Sequence, residues 1–311
     1  MDEPVVREGR VIKSYGSRFV VVTAEGTFDC GLRGRMRISG AKTHTPVAVG
    51  DRVQVTVEDP PYGVIDSVHP RVNKLSRPDV LKPEWEQVLV ANCDQLIAVA
   101  SLARPRLKFG AVDRLLLVAE KTGLDGAVVL NKIDLVEPHG GERARHVYNK
   151  AGYPVVVTSA LTGEGLPQLR EVVQLKVSIF AGHSGVGKSS LLNALEPGLG
   201  LRTREVSEAT ERGTHTTTSI ELHPLGFGGY IADTPGLRAI GLWDLTAEEL
   251  PGLYRDFRPY LGQCRFGNCL HVGEPDCAIR EAVAGGSIST ERYEGYLRIR
   301  QSLVDPEPLR R

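Results

Sequence analysis

Residues 182–189 read Gly182-His183-Ser184-Gly185-Val186-Gly187-Lys188-Ser189, the G-x-x-x-x-G-K-S spacing of a phosphate-binding loop. This pattern constrains the fold because it works only between a buried strand and a helix. Leu175 to Ala181 is an apolar, β-branched run suited to the strand. Ser189 to Leu195 suits the helix, which Glu196-Pro197-Gly198 ends. The glycines let the backbone curl, so that several N–H groups face the phosphates at the positive end of the helix. Lys188 is then placed to reach the β- and γ-phosphates and the Ser189 hydroxyl to bind Mg²⁺, with Ser190 following in the same turn.

Strands and helical stretches alternate from Gln95 onward, the pattern of a parallel sheet covered by helices. Strands are expected at Gln95–Ala100, Gly126–Leu130, Pro154–Val157, Thr218–Leu222 and Gly229–Ala232. Helices are expected at Ala111–Lys121 and Gly141–Ala151. Short motifs sit where these strands end. Asn131-Lys132-Ile133-Asp134 fits the N-K-x-D pattern that reads guanine. The Asp134 carboxylate can accept from both N1–H and the 2-amino group, donors that adenine lacks at that edge. Asn131 would tie this loop to the phosphate loop, and the Lys132 stem would lie along the base. Ser159-Ala160 fits a second base-contacting loop, where a backbone N–H meets guanine O6. Asp233-Thr234-Pro235-Gly236 fits the loop beyond the phosphates: Asp233 would hold Mg²⁺ through water, and the Gly236 N–H would sense the γ-phosphate. Ligands bind at the C-terminal ends of strands in such sheets, and each motif follows a strand.

The motif order is unusual. Ordinary GTPases run from phosphate loop to switch threonine, DxxG, NKxD and SA. Here NKID and TSA come first, and DTPG follows the phosphate loop. Joining old termini and opening new ones preserves the same sheet, because domain termini are often close. The domain is therefore read as a circularly permuted GTPase. Of the threonines in Gly213-Thr214-His215-Thr216-Thr217-Thr218, Thr217 is the preferred ligand for Mg²⁺ and γ-phosphate. Leu237 stands where many GTPases keep a water-orienting glutamine. The attacking water must then be placed by His215 or by groups that a partner supplies.

Before this domain, short β-like runs at Arg10–Ser14, Phe19–Thr23, Arg52–Val57 and Val64–Val68 alternate with turn residues, as in a small OB-type barrel. The loop from Gly31 to Lys42 carries Arg33, Arg35, Arg37 and Lys42 and no acid. It can neutralise RNA phosphates, and it reads equally well as a solvated loop. Proline and charge around Trp85 read as a linker, with Trp85 as an anchor. Cys30 and Cys93 read as packed thiols.

The end of the chain reads Cys264-x4-Cys269-x-His271-x5-Cys277, amid loop-forming Gly262, Gly267, Asn268, Gly273 and Pro275. Three thiolates and an imidazole fill a closed tetrahedral Cys3His site, so one structural zinc is expected. Helices are expected at Ala247–Tyr260, Ala278–Ala284 and Thr290–Leu303. The last would carry Arg292, Arg298 and Arg300 with Tyr293 and Tyr296 on a face open to RNA or to solvent.

The 311 residues thus divide into an OB-like domain at 1–75, a linker at 76–92, the permuted GTPase domain at 93–240 and a helical zinc-binding domain at 241–311. Lys+Arg and Asp+Glu are both 38, so overall charge names no partner. No apolar run approaches transmembrane length, and Met1-Asp2-Glu3-Pro4 lacks the character of a signal peptide. The expectation is a cytoplasmic protein without a disulfide framework.

The sequence of NKID, TSA, GHSGVGKSS, HTTT and DTPG, then the Cys3His cluster, behind a β domain carrying CGLRGRMR, resembles the RsgA (YjeQ/EngC) family. These are circularly permuted GTPases of small-ribosomal-subunit biogenesis. Ala111-Val-Asp-Arg-Leu, Glu274-Pro-Asp-Cys-Ala and Arg292-Tyr293 extend the resemblance over nearly the whole chain. It implies binding of the 30S subunit and its rRNA by the OB fold and zinc domain. It also implies GTP hydrolysis stimulated by the subunit during late maturation, and a monomer that carries GTP or GDP. The chain departs from the family pattern at His183, where Gln is usual, and at Thr214, where a basic residue is usual. Neither change removes a phosphate or Mg²⁺ ligand.

Overall fold

The computed structural model describes residues 5–34, 46–79, 82, 85–201, 220–233 and 244–305. The chain opens with strands β1 (Val5–Tyr15), β2 (Arg18–Thr23), β3 (Gly26–Leu32), β4 (Arg52–Asp59) and β5 (Tyr62–Val68). A hairpin of β6 (Lys74–Pro78) and β7 (Glu86–Ala91) follows. Strands and helices then alternate: β8 (Gln95–Ser101), α1 (Phe109–Thr122), β9 (Asp125–Asn131), α2 (Glu142–Lys150), β10 (Val155–Thr158), α3 (Leu166–Val173), β11 (Val177–Ala181) and α4 (Lys188–Leu195). After β12 (Glu221–Pro224) and β13 (Tyr230–Asp233) come α5 (Leu250–Leu253), α6 (Ala278–Ala284) and α7 (Thr290–Val304). No helix among the described residues is long and apolar enough to cross a membrane.

The described residues fall into two compact units. The first draws on Met1–Gln95, Val173–Phe180 and Ser207–Trp243. Its first five strands pair in the closed order β1-β2-β3-β5-β4-β1, with β3–β5 the parallel pair. Closure removes the unpaired edges that would otherwise recruit other strands. Alternate positions turn inward: Phe19 and Val21 on β2, Phe28 and Cys30 on β3, and Val53, Val55 and Val57 on β4 form one core with Val11 and Ile65. β12 extends from β1 with Lys13 opposite Glu221, and their side chains pair at 2.8 Å. β13 lies antiparallel to β12 and parallel to β11, which places Asp233 in register with Phe180. Cys30 and Cys93 are buried, and burial pushes both thiols up to about 12, which keeps them protonated.

The second unit draws on Leu96–Val172, Ala181–Val206 and Asp244–Arg311. β8 lies beside β9, and β10 pairs parallel with β9. β8 is buried at every position, as is β11, which explains their unbroken apolar sequences. On the side of the C-terminal elements, Tyr254, Phe257 and Tyr296 form a buried aromatic cluster with ring centroids 4.8–5.6 Å apart.

Three expectations need correction. The stretch read as a linker contains the β6–β7 hairpin. Leu75 and Val90 are buried in it, and Asn73 clamps Cys93 through bonds of 2.7 and 3.0 Å. Prolines marked the segment as irregular, yet Pro78 simply closes β6 at its last position, where no further ladder donor is needed. The helix expected over 247–260 is only the short α5 and a 3-10 turn at Arg258–Tyr260, because Pro251, Gly252 and Pro259 interrupt it. On α7, Arg292 and Tyr296 are buried, so they belong to no exposed face. The strand expected at Thr218–Leu222 is seen from Glu221. Residues 218 and 219 lie outside the described residues.

Candidate nucleotide site and metal cluster

β11 runs into the phosphate loop, and α4 begins at Lys188. Two glycines are required there by contact. A Cβ on Gly182 would lie 2.3 Å from the Val99 carbonyl oxygen. Gly187 has φ +89, and a Cβ on it would lie 2.6 Å from Asn131 Nδ2. Lys188 and Ser189 therefore open the first turn of α4, where unpaired N–H groups and the helix dipole favour an anion.

The Asn131–Asp134 loop is fastened to this phosphate loop by its own side chains. Asn131 is buried at the end of β9. Its Nδ2 donates to the Val186 carbonyl at 3.0 Å, and its Oδ1 accepts from Thr158 Oγ1 at 3.2 Å. Lys132 Nζ donates to the Gly185 carbonyl at 2.6 Å and to the Arg104 carbonyl at 2.6 Å. Partial burial lowers its pKa, against the pull of Asp134. Lys132 adopts φ +67, a left-handed conformation that a lysine holds only where its surroundings over-determine it. Ile133 to Leu135 form a 3-10 turn that leaves the Asp134 carboxylate exposed, free to accept from a base edge.

Ser159 is fully buried after β10. Its Oγ accepts from the Leu161 and Thr162 N–H groups at 3.2 and 3.1 Å, and its N–H donates to the Glu164 carbonyl at 3.0 Å. The hydroxyl thus shapes the loop that carries Ala160. Asp233 ends β13 in register with Phe180, two residues before the phosphate loop. Thr217, His215 and Gly236 lie outside the described residues, as do Arg35 and Arg37. Arg33 is described: its guanidinium pairs with Asp66, which also accepts from Thr56 at 2.6 Å.

In the C-terminal loops, Cys264, Cys269, His271 and Cys277 bring one ligand atom each within 4.8 Å of one another. Cys264 Sγ lies 3.5 Å from His271 Nδ1 and 3.9 Å from Cys277 Sγ, and His271 Nδ1 lies 3.4 Å from Cys277 Sγ. Zinc bonds of about 2.3 Å to sulfur and about 2.0 Å to nitrogen put tetrahedral ligand atoms about 3.5–3.8 Å apart, so the donor set fits a metal such as zinc. Burial lowers the His271 pKa and favours the neutral, metal-binding ring. The loop is held from outside as well. Tyr293 Oη donates to the His271 carbonyl at 2.8 Å, and Tyr296 Oη to the Leu270 carbonyl at 2.6 Å. The Glu274 carboxylate gathers the N–H groups of Leu270, Val272 and Gly273 at 2.8–3.0 Å. Burial opposes its charge, but these backbone bonds prevail and hold its pKa at about 2.

Known proteins resemble the chain along nearly its whole length. Residues 68–243 match the family described as RsgA GTPase, and residues 8–65 match the RsgA N-terminal domain. The chain belongs to the RsgA GTPase family. A small ribosomal subunit biogenesis GTPase RsgA from Gemmatimonas aurantiaca is 44% identical over 95% of this chain and 97% of its own. Among solved structures, YjeQ from Thermotoga maritima superposes with a TM-score of 0.80 at 38% identity, covering 96% of this chain and 99% of that one. YloQ, described as a circularly permuted GTPase, superposes with a TM-score of 0.76 at 29% identity, covering 98% and 97%. The chain is accordingly a GTPase with the permuted motif order of the RsgA family.

Sequence reasoning missed the residues that join α1 to the C-terminal elements. Asp113 and Glu120 are buried on α1, where they receive Arg292, Arg255 and Arg258. The faint signal was a seven-residue acidic spacing on a helix whose other inward positions are apolar. It also missed Lys132 as a bridge to the loop after β8, since that contact is to a backbone carbonyl and leaves no mark on residue type.

Proposed function

We propose that this GTPase is a switch that binds the 30S ribosomal subunit and assists its late maturation, with hydrolysis stimulated by the subunit. The observation that carries the nucleotide part is the fastening of Asn131 and Lys132 onto the carbonyls of Val186 and Gly185. In this reading it holds base-reading and phosphate-binding loops at one pocket although their order in the chain is reversed. The ribosomal part rests on the relatives, which are named for small-subunit biogenesis. In this reading Asp134 selects guanine, the Ala160 N–H meets O6, and Lys188 holds the β- and γ-phosphates. Mg²⁺, which neutralises developing phosphate charge, would be ligated by Ser189 and Thr217 and reached through water by Asp233. Gly236 senses the γ-phosphate, and His215 or a partner group orients the water. The Cys3His cluster holds one structural zinc, and Arg33, Arg35 and Arg37 lie in the rRNA-contacting loop of the barrel. The protein acts as a cytoplasmic monomer. Turnover of GTP and of ATP, each with and without purified 30S subunits, tests the proposal. GTP-specific turnover that rises with subunits is expected. Turnover unchanged by subunits would contradict stimulation by the subunit, and no turnover in either condition would leave an RNA-binding module with a passive nucleotide sensor.

A further inference from the structure

The loop between β8 and α1 runs Ser101-Leu102-Ala103-Arg104-Pro105-Arg106-Leu107-Lys108. Its first half is fixed to the nucleotide pocket. The Leu102 N–H donates to the Asn131 carbonyl at 2.9 Å, and the Arg104 carbonyl accepts from Lys132 Nζ at 2.6 Å. The same ammonium holds the Gly185 carbonyl of the phosphate loop. Arg104 adopts φ +44, the second non-glycine residue of this junction in a left-handed conformation after Lys132. The second half of the loop carries charge. Arg104, Arg106 and Lys108 are all exposed, and among the described residues no carboxylate pairs with any of them.

Several other cations of the chain do meet carboxylates. Lys121 meets Asp244 and Glu249, Arg143 meets Glu291, and Arg255 and Arg258 meet Glu120. In the barrel, Arg33 meets Asp66. The sequence has 38 basic and 38 acidic residues, yet among the described residues three cations within five positions at the rim of the nucleotide pocket are uncompensated. Cations this close repel one another, and the repulsion is relieved when they neutralise the phosphates of a polyanion, whose condensed counterions are released to solution.

We infer that residues 104–108 form a contact for the phosphate backbone of ribosomal RNA, attached to the nucleotide pocket through the Arg104 carbonyl and Lys132. The inference rests on the proposed binding of the 30S subunit and adds to it a surface on the GTPase domain itself. RNA seated on Arg106 and Lys108 steadies the loop that the Lys132 clamp uses. Occupancy of the contact therefore favours the clamped pocket, and by linkage bound nucleotide favours the contact.

The test compares the wild type with the double variant Arg106→Glu/Lys108→Glu, using 30S subunits, protein-free 16S rRNA and a GTP analogue between 50 and 200 mM KCl. Both side chains are exposed, and among the described residues neither bonds the phosphate loop or the 131–134 loop, so basal GTP turnover and GTP affinity should match the wild type and show that the variant is folded. Affinity for both subunits and free rRNA should fall by at least about tenfold, and the slope of log affinity against log salt should drop by about two units. Subunit-stimulated turnover should fall toward the basal rate. Arg106→Lys/Lys108→Arg should restore all three. If the wild type binds subunits and responds to them while the glutamate variant does so equally, the loop is not a contact and only this inference fails. Loss of subunit binding with unchanged binding to free rRNA would assign the loop to a ribosomal protein and overturn the RNA assignment. A wild type that ignores 30S subunits would overturn the functional reading and this inference with it.

Discussion

Arg292 Nη1 donates to Asp113 Oδ1 at 2.6 Å, joining side chains 179 residues apart. Both are buried, at 1% and 0% exposure. The guanidinium also forks onto Asp256, with Nη2 at 2.8 Å and Nε at 3.2 Å, and lies 4.5 Å over the Tyr254 ring. Gly295 lets α7 come this close, since a Cβ there would lie 2.2 Å from Asp113 Oδ2. Farther along α1, Glu120 receives Arg255 and Arg258 at 2.7 and 2.6 Å, and Lys121 reaches Asp244 at 3.1 Å. One face of α1, the helix that follows the Lys132-bound loop, thus anchors the elements that carry the metal cluster.

Arg292→Ala should destabilise the protein by about 3–5 kcal/mol, because it strands two buried carboxylates rather than removing the pair as a unit. Gly295→Ala should also destabilise, through the clash with Asp113. Urea unfolding followed at α7 and at the nucleotide site measures both. An Arg292→Ala loss below about 1 kcal/mol, the scale of an exposed pair, would contradict a buried clasp.

The clasp should also respond to pH. Burial pushes the Asp113 carboxyl from 3.8 up to about 6, although Arg292 pulls it down. A carboxyl whose pKa is raised on folding holds its proton more tightly in the folded state. Its contribution to stability is therefore complete below about pH 4 and lost as pH rises through about 6. The stability of the wild type relative to Asp113→Asn should accordingly decline from pH 4.5 to pH 7. A difference that stays flat or grows over that range contradicts the assignment.

The phosphate loop was legible from sequence because its backbone geometry dictates residue type: nothing larger than glycine fits against the Val99 carbonyl or beside Asn131. The Cys3His cluster was legible because a metal-ligand set accepts few substitutes, and its four residues do gather in the fold. The Asp113–Arg292 clasp was not, because any of many acids could meet any of many bases across 179 residues, and burial is what distinguishes this pair. The β6–β7 hairpin was hidden by prolines, and the helix expected near 250 was overextended by an apolar pattern that Pro251 and Pro259 cut.

Gly187→Ala should abolish nucleotide binding in a folded protein. The left-handed conformation costs a non-glycine residue about 1–2 kcal/mol, and the added methyl group displaces Asn131 from Val186. Circular dichroism with a fluorescent GTP analogue separates the two effects. Tight analogue binding by the variant would show that Asn131 does not fasten the pocket.

Asp134→Asn should weaken GTP binding and favour xanthine nucleotides, whose 2-oxo group accepts from an amide. Each hydrogen bond to a charged group is worth about 1.5–3 kcal/mol, so the loss for GTP should exceed about tenfold. Competition between GTP and XTP for the purified variant reads this out. An unchanged preference for GTP would remove NKID from base reading.

Replacing Cys269 with Ser should release the metal and disorder the loop at 264–277, because metal binding supplies folding energy of about 10–16 kcal/mol in small zinc modules. GTP binding should persist. Elemental analysis of protein purified without chelators should find one zinc per wild-type chain, and finding no metal would refute the site.

A switch of the proposed kind makes ribosome binding depend on the bound nucleotide. It is tested most directly by co-sedimenting the wild-type protein with separated ribosomal subunits in the presence of either a non-hydrolysable GTP analogue or GDP. Association with the small subunit is expected, tighter in the analogue by the roughly 5–150-fold typical of coupled sites. Equal affinity in the two nucleotide states, or preference for the large subunit, would contradict it.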